Sequence, residues 1–256
     1  MQLDGQVAII TGGSKGIGRA IADGYAAEGC AVVIAARTQS DIDAVVDEIS
    51  SAGGKALGVR CDVSDESSVA NLVDTTLAEF GKIDILVNNA AAIHGPIPAE
   101  DLDLATWRTV IDVNLTGAFI CAKAVLPHMY AQRSGKLINI SSIGGRKGGW
   151  GRAAYRSTKA ALISLTETLA AEGKAHGVDV NCICPGGTDT EMVRIASGGS
   201  VNPDWVKAEE IATVALFLAG PGASAITGES IDVFGKTNPL FSGRHFGEDS
   251  GHKTRS

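Results

Sequence analysis

The feature that most constrains this chain is a rhythm: short apolar, β-branched runs recur along the sequence, each followed by an amphipathic stretch. The runs are 7–11 (VAIIT), 31–36 (AVVIAA), 56–60, 83–87 (IDILV), 136–141 (KLINIS), 178–183 and 229–233. Most are apolar at successive rather than alternate positions, as strands covered on both faces are. Helices are predicted between them over 16–29, 39–52, 65–80, 104–130, 152–176 and 207–219. Ser64 stands before an acidic first turn, and Gly29, Gly53 and Gly177 stand where helices should end. Unbroken strand–helix alternation predicts a single doubly wound α/β domain over 1–235, with a parallel seven-stranded sheet and helices on both faces. Two segments break the rhythm. Residues 187–206, rich in Gly, Ser and Thr after a strand end, read as a lid. Residues 236–256 read as a polar C-terminal tail, in which Leu240, Phe241 and Phe246 could dock on the body or on a neighbouring subunit.

The net charge of −7 argues against nucleic acid as the main partner, because phosphate neutralisation needs a basic surface. A local cationic pocket for a small phosphorylated ligand remains compatible with it. The N-terminus lacks a basic targeting region, and the apolar stretch 117–126 is short and contains Lys123, so no membrane span is expected. The five cysteines are odd in number and unpatterned, which points to a reduced, cytoplasmic protein. Cys182 and Cys184, a C-x-C on an apolar run, read as small core residues, with metal binding the lesser alternative. No metal is expected.

The first run ends in Thr11-Gly12-Gly13-Ser14-Lys15-Gly16-Ile17-Gly18, and a helix follows. A diphosphate needs backbone N–H donors, a positive helix end and no Cβ in the way, and a glycine-rich strand-to-helix turn supplies all three. This marks the domain as Rossmann-type. Gly12, Ser14, Lys15, Gly16, Ile17 and Gly18 are therefore candidate dinucleotide contacts; the plain alternative is a turn with no ligand. The second run ends in Ala36-Arg37-Thr38 with no carboxylate before Asp41. An NAD site usually places an acid there for the ribose hydroxyls. A 2′-phosphate would be repelled by an acid and held by a guanidinium. Arg37 and Thr38, with Lys15 reaching the same place, favour NADP(H) over NAD.

Tyr155 and Lys159 stand four residues apart in a predicted helix and so share a face. Carbonyl reduction needs a proton donor, and a phenol of pKa about 10 is a weak one at neutrality. An ammonium about 4 Å away is worth roughly 4 kcal/mol at an effective dielectric near 20, enough to bring the phenol towards the working pH. Ser142 ends the fifth run, where ligands bind in open α/β sheets, and its hydroxyl can bond a substrate oxygen. Asn114 is either a satisfied core amide or the holder of a water that passes protons to Lys159.

These residues resemble the short-chain dehydrogenase/reductase family from about residue 5 to 235, and in particular its NADP-preferring carbonyl and xylulose reductases through AARTQSDIDAV. TGGSKGIG is similar to the family's glycine turn, and Asn88-Asn89-Ala90 to its sheet motif beside the adenosine ribose. The resemblance implies that Asp62 and Val63 lie at the adenine, Asn89 and Ala90 at the ribose, and Pro185, Gly186, Thr188 and Thr190 at the nicotinamide amide. It implies Tyr155 as acid/base, Lys159 as its helper and a cofactor contact, Ser142 as orienter and Asn114 as relay anchor. It also implies a homotetramer or dimer that joins helices 104–130 and 152–176. Three departures stand out: Ala91 in place of a glycine, a short lid, and DVFGKTNPLF at the end.

The expected function is NADP(H)-dependent interconversion of a ketone or aldehyde and an alcohol, on a small to medium carbonyl compound. One alternative is reduction of a 3-oxoacyl group on acyl carrier protein; Arg133 is available for docking, but Ala171 stands where such enzymes carry Arg. A non-catalytic NADP(H)-binding regulatory protein is the alternative of another class. Ile93, His94, Gly144, Gly145, Trp150, Met192 and Trp205 are expected to face the substrate. His94 could bond a substrate hydroxyl; the plainer reading makes it a solvated loop residue and the two tryptophans packing residues.

Overall fold

The computed structural model describes residues 1–196, 199 and 202–237. Its strands are β1 (Val7–Thr11), β2 (Ala31–Ala36), β3 (Lys55–Arg60), β4 (Ile85–Asn88), β5 (Gly135–Ile140), β6 (Val178–Pro185) and β7 (Ser230–Val233). All are parallel, in the order β3-β2-β1-β4-β5-β6-β7. The chain winds outward from β1 through β2 to β3, then returns to β4 on the other side. The crevice above the β1 and β4 carboxyl ends is thus the topological switch point, where open α/β sheets bind ligands.

Alternate strand residues feed two cores, as the successive apolar positions require. Ala8, Ile10, Val32 and Ile34 pack under helices α1 (Gly16–Ala27), α2 (Gln39–Ser51) and α9 (Ala208–Ala219). Ile9, Val33 and Leu86 pack on the other face under α3 (Glu66–Phe80), α5 (Gly117–Gln132) and α7 (Ala153–Gly173). Each fully buried aliphatic among them contributes about 1.5–3 kcal/mol relative to exposure. Gly29, Gly53 and Gly177 take positive φ at helix ends, as their placement predicted.

Three expectations need correction. The cap of α3 is Asp65, not Ser64: the Asp65 carboxylate accepts from the Ser67 N–H, while Ser64 donates to Asp62. The stretch read as one helix over 104–130 is α4 (Leu104–Ile111), a wide π turn at Asp112–Thr116, and α5. That composite, Leu104–Gln132, is long and apolar enough by length and composition to cross a membrane, but Cys121, Val125 and Met129 are buried against the sheet, as in a core helix. Finally, two short helices, α6 (Ile143–Arg146) and α8 (Glu191–Ala196), occupy segments read as loop. Leu240, Phe241 and Phe246 lie outside the described residues.

Candidate active site

The glycine turn is built by steric demand from both sides. Gly12 has φ 63°, and a Cβ there would lie 2.9 Å from the Asn89 amide nitrogen. A Cβ on Gly18 would sit 2.3 Å from the Gly12 carbonyl oxygen. Asn89 holds the turn by donating its amide to the Thr11 and Gly12 carbonyls at 2.9 and 3.1 Å. The Thr11 hydroxyl accepts from the Asn89 and Ala90 N–H groups and donates to the Val87 carbonyl. No side chain caps α1 at Lys15, so its first-turn N–H groups stay open to an anion. Ser14 flanks this opening, Ile17 packs into the core beneath it, and Thr190 closes its far side, with a methyl 3.2 Å from where a Gly16 Cβ would be. A dinucleotide diphosphate fits this cradle: the space is kept by glycines and the free donors converge on it.

Arg37 and Thr38 are exposed at the end of β2, and the Thr38 hydroxyl is not used to cap α2. Lys15 does not point free into this region. Its ammonium lies 3.2 Å from Asp41 and 3.6 Å from Glu191, and chiefly the Asp41 hydrogen bond raises its pKa above the ordinary lysine value. The Asp62 carboxylate accepts from the Ser64 backbone and hydroxyl at 3.0 and 2.6 Å; these bonds, and secondarily Arg37 and Arg60, hold it below the ordinary Asp value. Val63 is a core residue packed on Gly117, where a Cβ would come within 2.7 Å.

Ser142, Tyr155 and Lys159 converge beyond the end of β5. Ser142 caps α6, its hydroxyl accepting from the Gly144 N–H at 3.0 Å, and it stands near enough to the Tyr155 phenol to favour its ionised form. A Cβ on Gly144 would lie 3.5 Å from Ser142 Oγ, Tyr155 Cε1 and Arg156 Cγ alike, so these groups border one small space. Lys159 is buried and donates to the Ile140 carbonyl at 2.8 Å, 5.7 Å from the Tyr155 ring centre. Loss of water pushes its pKa down from 10.5 to about 8. The expected lowering of the Tyr155 pKa by this cation does not occur here. Burial raises the phenol above 10, and Ser142, with the fields of Arg152 and Arg156, offsets only part of that. The β5 carbonyl takes the ammonium that was expected to serve the phenol.

Asn114 sits in the π turn, fully engaged. Its oxygen accepts from the Ala92 N–H at 2.6 Å, and its nitrogen donates to the Ala92 carbonyl and the Thr158 hydroxyl. The side chain is thus a satisfied amide. Pro185 ends β6, and the Gly186 N–H donates to Val233 at 2.9 Å. Thr188 is buried and bridges to Val206. Within the lid, Asp189 and Arg194 form a two-toothed ion pair that staples the start of α8.

The substrate-facing guesses divide. Gly144 borders the Ser142 hydroxyl and the Tyr155 ring, whereas a Gly145 Cβ would strike the Lys159 carbonyl at 2.5 Å, so Gly145 serves packing. Trp205 packs on Gly187, where a Cβ would lie 2.5 Å from its ring. Trp150 is 72% exposed and lines a shallow cavity of about 370 Å³ with Ile97, Pro98 and Ala153. Met192 is exposed and Ile93 half-buried. His94 is not a solvated loop residue: it is 8% exposed. Cys182 and Cys184 are fully buried beside Phe234.

Sequence reasoning missed Thr11 as the knot between turn and β4. It also missed a buried chain in which Asn88 donates to Asn139 and Asn139 to the Thr166 hydroxyl, joining β4, β5 and α7. The signal was present: asparagines inside apolar strands must find partners.

A family model for short chain dehydrogenases matches residues 6–198. The chain is 40% identical to a 3-oxoacyl-[acyl-carrier-protein] reductase of Synechocystis sp., over 91% of this chain and 97% of that protein. It is 40% identical to a cis-4-hydroxycyclohexanecarboxylate dehydrogenase of Sinomonas cyclohexanicum, over 90% and 95%. Among solved structures, an actinorhodin polyketide ketoreductase with NADPH superposes with a TM-score of 0.87 at 31% identity, covering 93% of this chain and 99% of that one. A 7α-hydroxysteroid dehydrogenase with NADH and a 7-oxo bile acid does so with 0.85 at 32%, covering 91% and 94%. The chain therefore belongs to the short-chain dehydrogenase/reductase family and is an oxidoreductase of that type.

Proposed function

We propose that this protein interconverts a ketone or aldehyde and an alcohol with NADP(H), using Tyr155 as acid/base. The observation that carries the reading is the convergence of Ser142 Oγ and the Tyr155 ring on one small space beside Gly144, one helical turn from the buried Lys159 ammonium. When bound, the nicotinamide supplies or accepts the hydride. Ser142 donates to the substrate oxygen and fixes it against Tyr155. The phenol gives its proton to that oxygen as negative charge builds there. A phenol held above its ordinary pKa stays protonated at neutrality, which suits the reductive direction. Lys159, its ammonium held by the Ile140 carbonyl, supplies a donor to the cofactor ribose. Asn114 fixes the Ala92 backbone, and with it the loop facing α7. The cradle of Gly12, Gly16 and Gly18 holds the diphosphate. Asp62, Val63, Asn89 and Ala90 line the adenosine side, and Pro185, Gly186, Thr188 and Thr190 the nicotinamide side.

NADP(H) preference rests on Arg37 at a strand end without a carboxylate; Asp41 shares Lys15, so Arg37 is the main phosphate ligand. The substrate is a small to medium carbonyl compound. The protein acts in the cytoplasm as a homotetramer or dimer, and exposed Leu104 and Phe119 on α4 and α5 supply apolar surface for that contact. Purified protein should oxidise NADPH faster than NADH with members of a ketone panel. Tyr155→Phe should abolish turnover while leaving thermal unfolding unchanged; a fully active Tyr155→Phe would refute the mechanism. The second reading, a 3-oxoacyl-carrier-protein reductase, is favoured by the Synechocystis relative. It requires a carrier-bound thioester to outperform a free ketone. NADPH binding with no turnover of either would instead mark a regulatory protein.

A further inference from the structure

Four buried side-chain atoms among the described residues have no hydrogen-bond partner: Asn88 Oδ1, His94 Nε2, Arg156 Nε and Ser230 Oγ. Asn88 lies inside the helix-covered sheet and already donates two bonds. His94 lies in the loop that faces the catalytic helix, and two ties place it. Ala92, two residues before, is clamped by Asn114, which also bonds Thr158 of α7. Ile97, three residues after, donates to the Gly151 carbonyl just ahead of α7. The backbone on both sides of His94 is thus tied to α7 and to the segment just ahead of it.

The other ring nitrogen fixes its chemistry. Nδ1 lies 2.8 Å from the Gly95 carbonyl. A carbonyl only accepts, so Nδ1 carries the proton and Nε2 of the neutral ring presents a lone pair. A buried acceptor without a donor is a rare arrangement, and here it lies in the loop tied to the helix that carries Tyr155. A cationic donor is disfavoured, because Arg156 borders the same space as Tyr155.

We infer that His94 Nε2 accepts a hydrogen bond from a neutral hydroxyl of the substrate, and that the preferred substrates are hydroxyketones. This rests on the reading of Tyr155 as the acid serving the carbonyl. His94 is then a specificity-determining residue: a site that bonds a hydroxyl rejects the analogue that cannot donate.

The test compares 2-hydroxyacetophenone with 2-methoxyacetophenone, and 3-hydroxypropiophenone with its methyl ether, using NADPH at pH 8. The ethers keep the inductive effect of oxygen and lose only the donor. In at least one pair the wild-type kcat/KM for the alcohol should exceed that for the ether at least tenfold. His94→Phe should reduce this ratio to within about twofold of unity while leaving kcat/KM for the ether within a few-fold. His94→Gln, which keeps an acceptor, should restore part of it. A ratio near one in both wild-type pairs, an unchanged ratio in His94→Phe, or a preference for benzoylformate over the hydroxyketones would overturn the inference and leave the reductase reading intact. Failure of every ketone with either cofactor would overturn both.

Discussion

The Lys159 ammonium and the Ile140 carbonyl are hydrogen-bonded at 2.8 Å, which ties the middle of the catalytic helix to the last residue of β5. The ammonium is buried and no carboxylate is among the causes of its shifted pKa, so the charge is held by a neutral dipole and loses most of its hydration. The side chain that the proposed mechanism needs charged is therefore the one the fold makes easiest to discharge.

A linkage measurement follows from this. The folded pKa of Lys159 is about 8 against an ordinary 10.5, so the unfolded chain binds this proton more tightly. Below pH 8 both states are protonated and the folded state carries the full cost, about 3 kcal/mol as an upper figure. Between pH 8 and 10.5 the folded state loses the proton first, and that cost fades. Urea unfolding of wild type and Lys159→Met across this range should show the wild type gaining on the variant as pH rises. A constant difference would mean that the ammonium is not desolvated as the structure indicates.

Cofactor preference should reverse at one position. Arg37 stands where an acid would bind ribose hydroxyls, and a charge-assisted bond to a phosphate is worth about 1.5–3 kcal/mol. Arg37→Asp should lower kcat/KM for NADPH about tenfold to a hundredfold and improve it for NADH. Lys15→Ala should do much less, since Asp41 and Glu191 already occupy that ammonium. Equal losses in the two variants would put the phosphate nearer Lys15 than proposed.

Gly18 tests the cradle without touching the catalytic group. Its missing Cβ leaves room for the Gly12 carbonyl and the Asn89 amide, which a methyl would approach to 2.3 and 2.4 Å. Both are backbone or tightly bonded atoms, so the turn must move. Gly18→Ala should weaken NADPH binding at least tenfold by fluorescence titration. Gly53→Ala, at a positive φ in open space far from the cradle, should cost stability only.

The sheet was legible because its determinants are local. VAIIT and AVVIAA are rich in β-branched residues and almost wholly apolar, and both became strands with the predicted bounds. The glycine turn was legible because only glycine meets its steric demands. What stayed hidden has no compositional mark. The π turn at Asp112–Thr116 uses ordinary helix residues, and its extra residue per turn arises from packing that positions Asn114. Helix α6, spelled IGGR, is too short and glycine-rich for any propensity argument, and forms because Ser142 caps it. The Lys159 ammonium was misjudged because spacing along a helix says nothing about a competing carbonyl on a strand.

Arg133 ends α5 in the left-handed region, with φ 56°, and among the described residues no other non-glycine residue has positive φ. An L-residue there costs about 1–2 kcal/mol, which glycine avoids, while glycine gives back about 0.4–1 kcal/mol through the unfolded chain. Arg133→Gly should thus raise stability by roughly 0.5 kcal/mol, visible as a small increase in urea midpoint, and Arg133→Ala should not. The same pair separates strain from charge in function. If a carrier-bound thioester is the substrate and Arg133 helps to dock it, both variants should lose that activity equally while free-ketone turnover stays unchanged. Loss in Arg133→Ala with retention in Arg133→Gly would instead tie the effect to the shape of the α5 terminus, since both variants remove the charge and only glycine relieves the backbone.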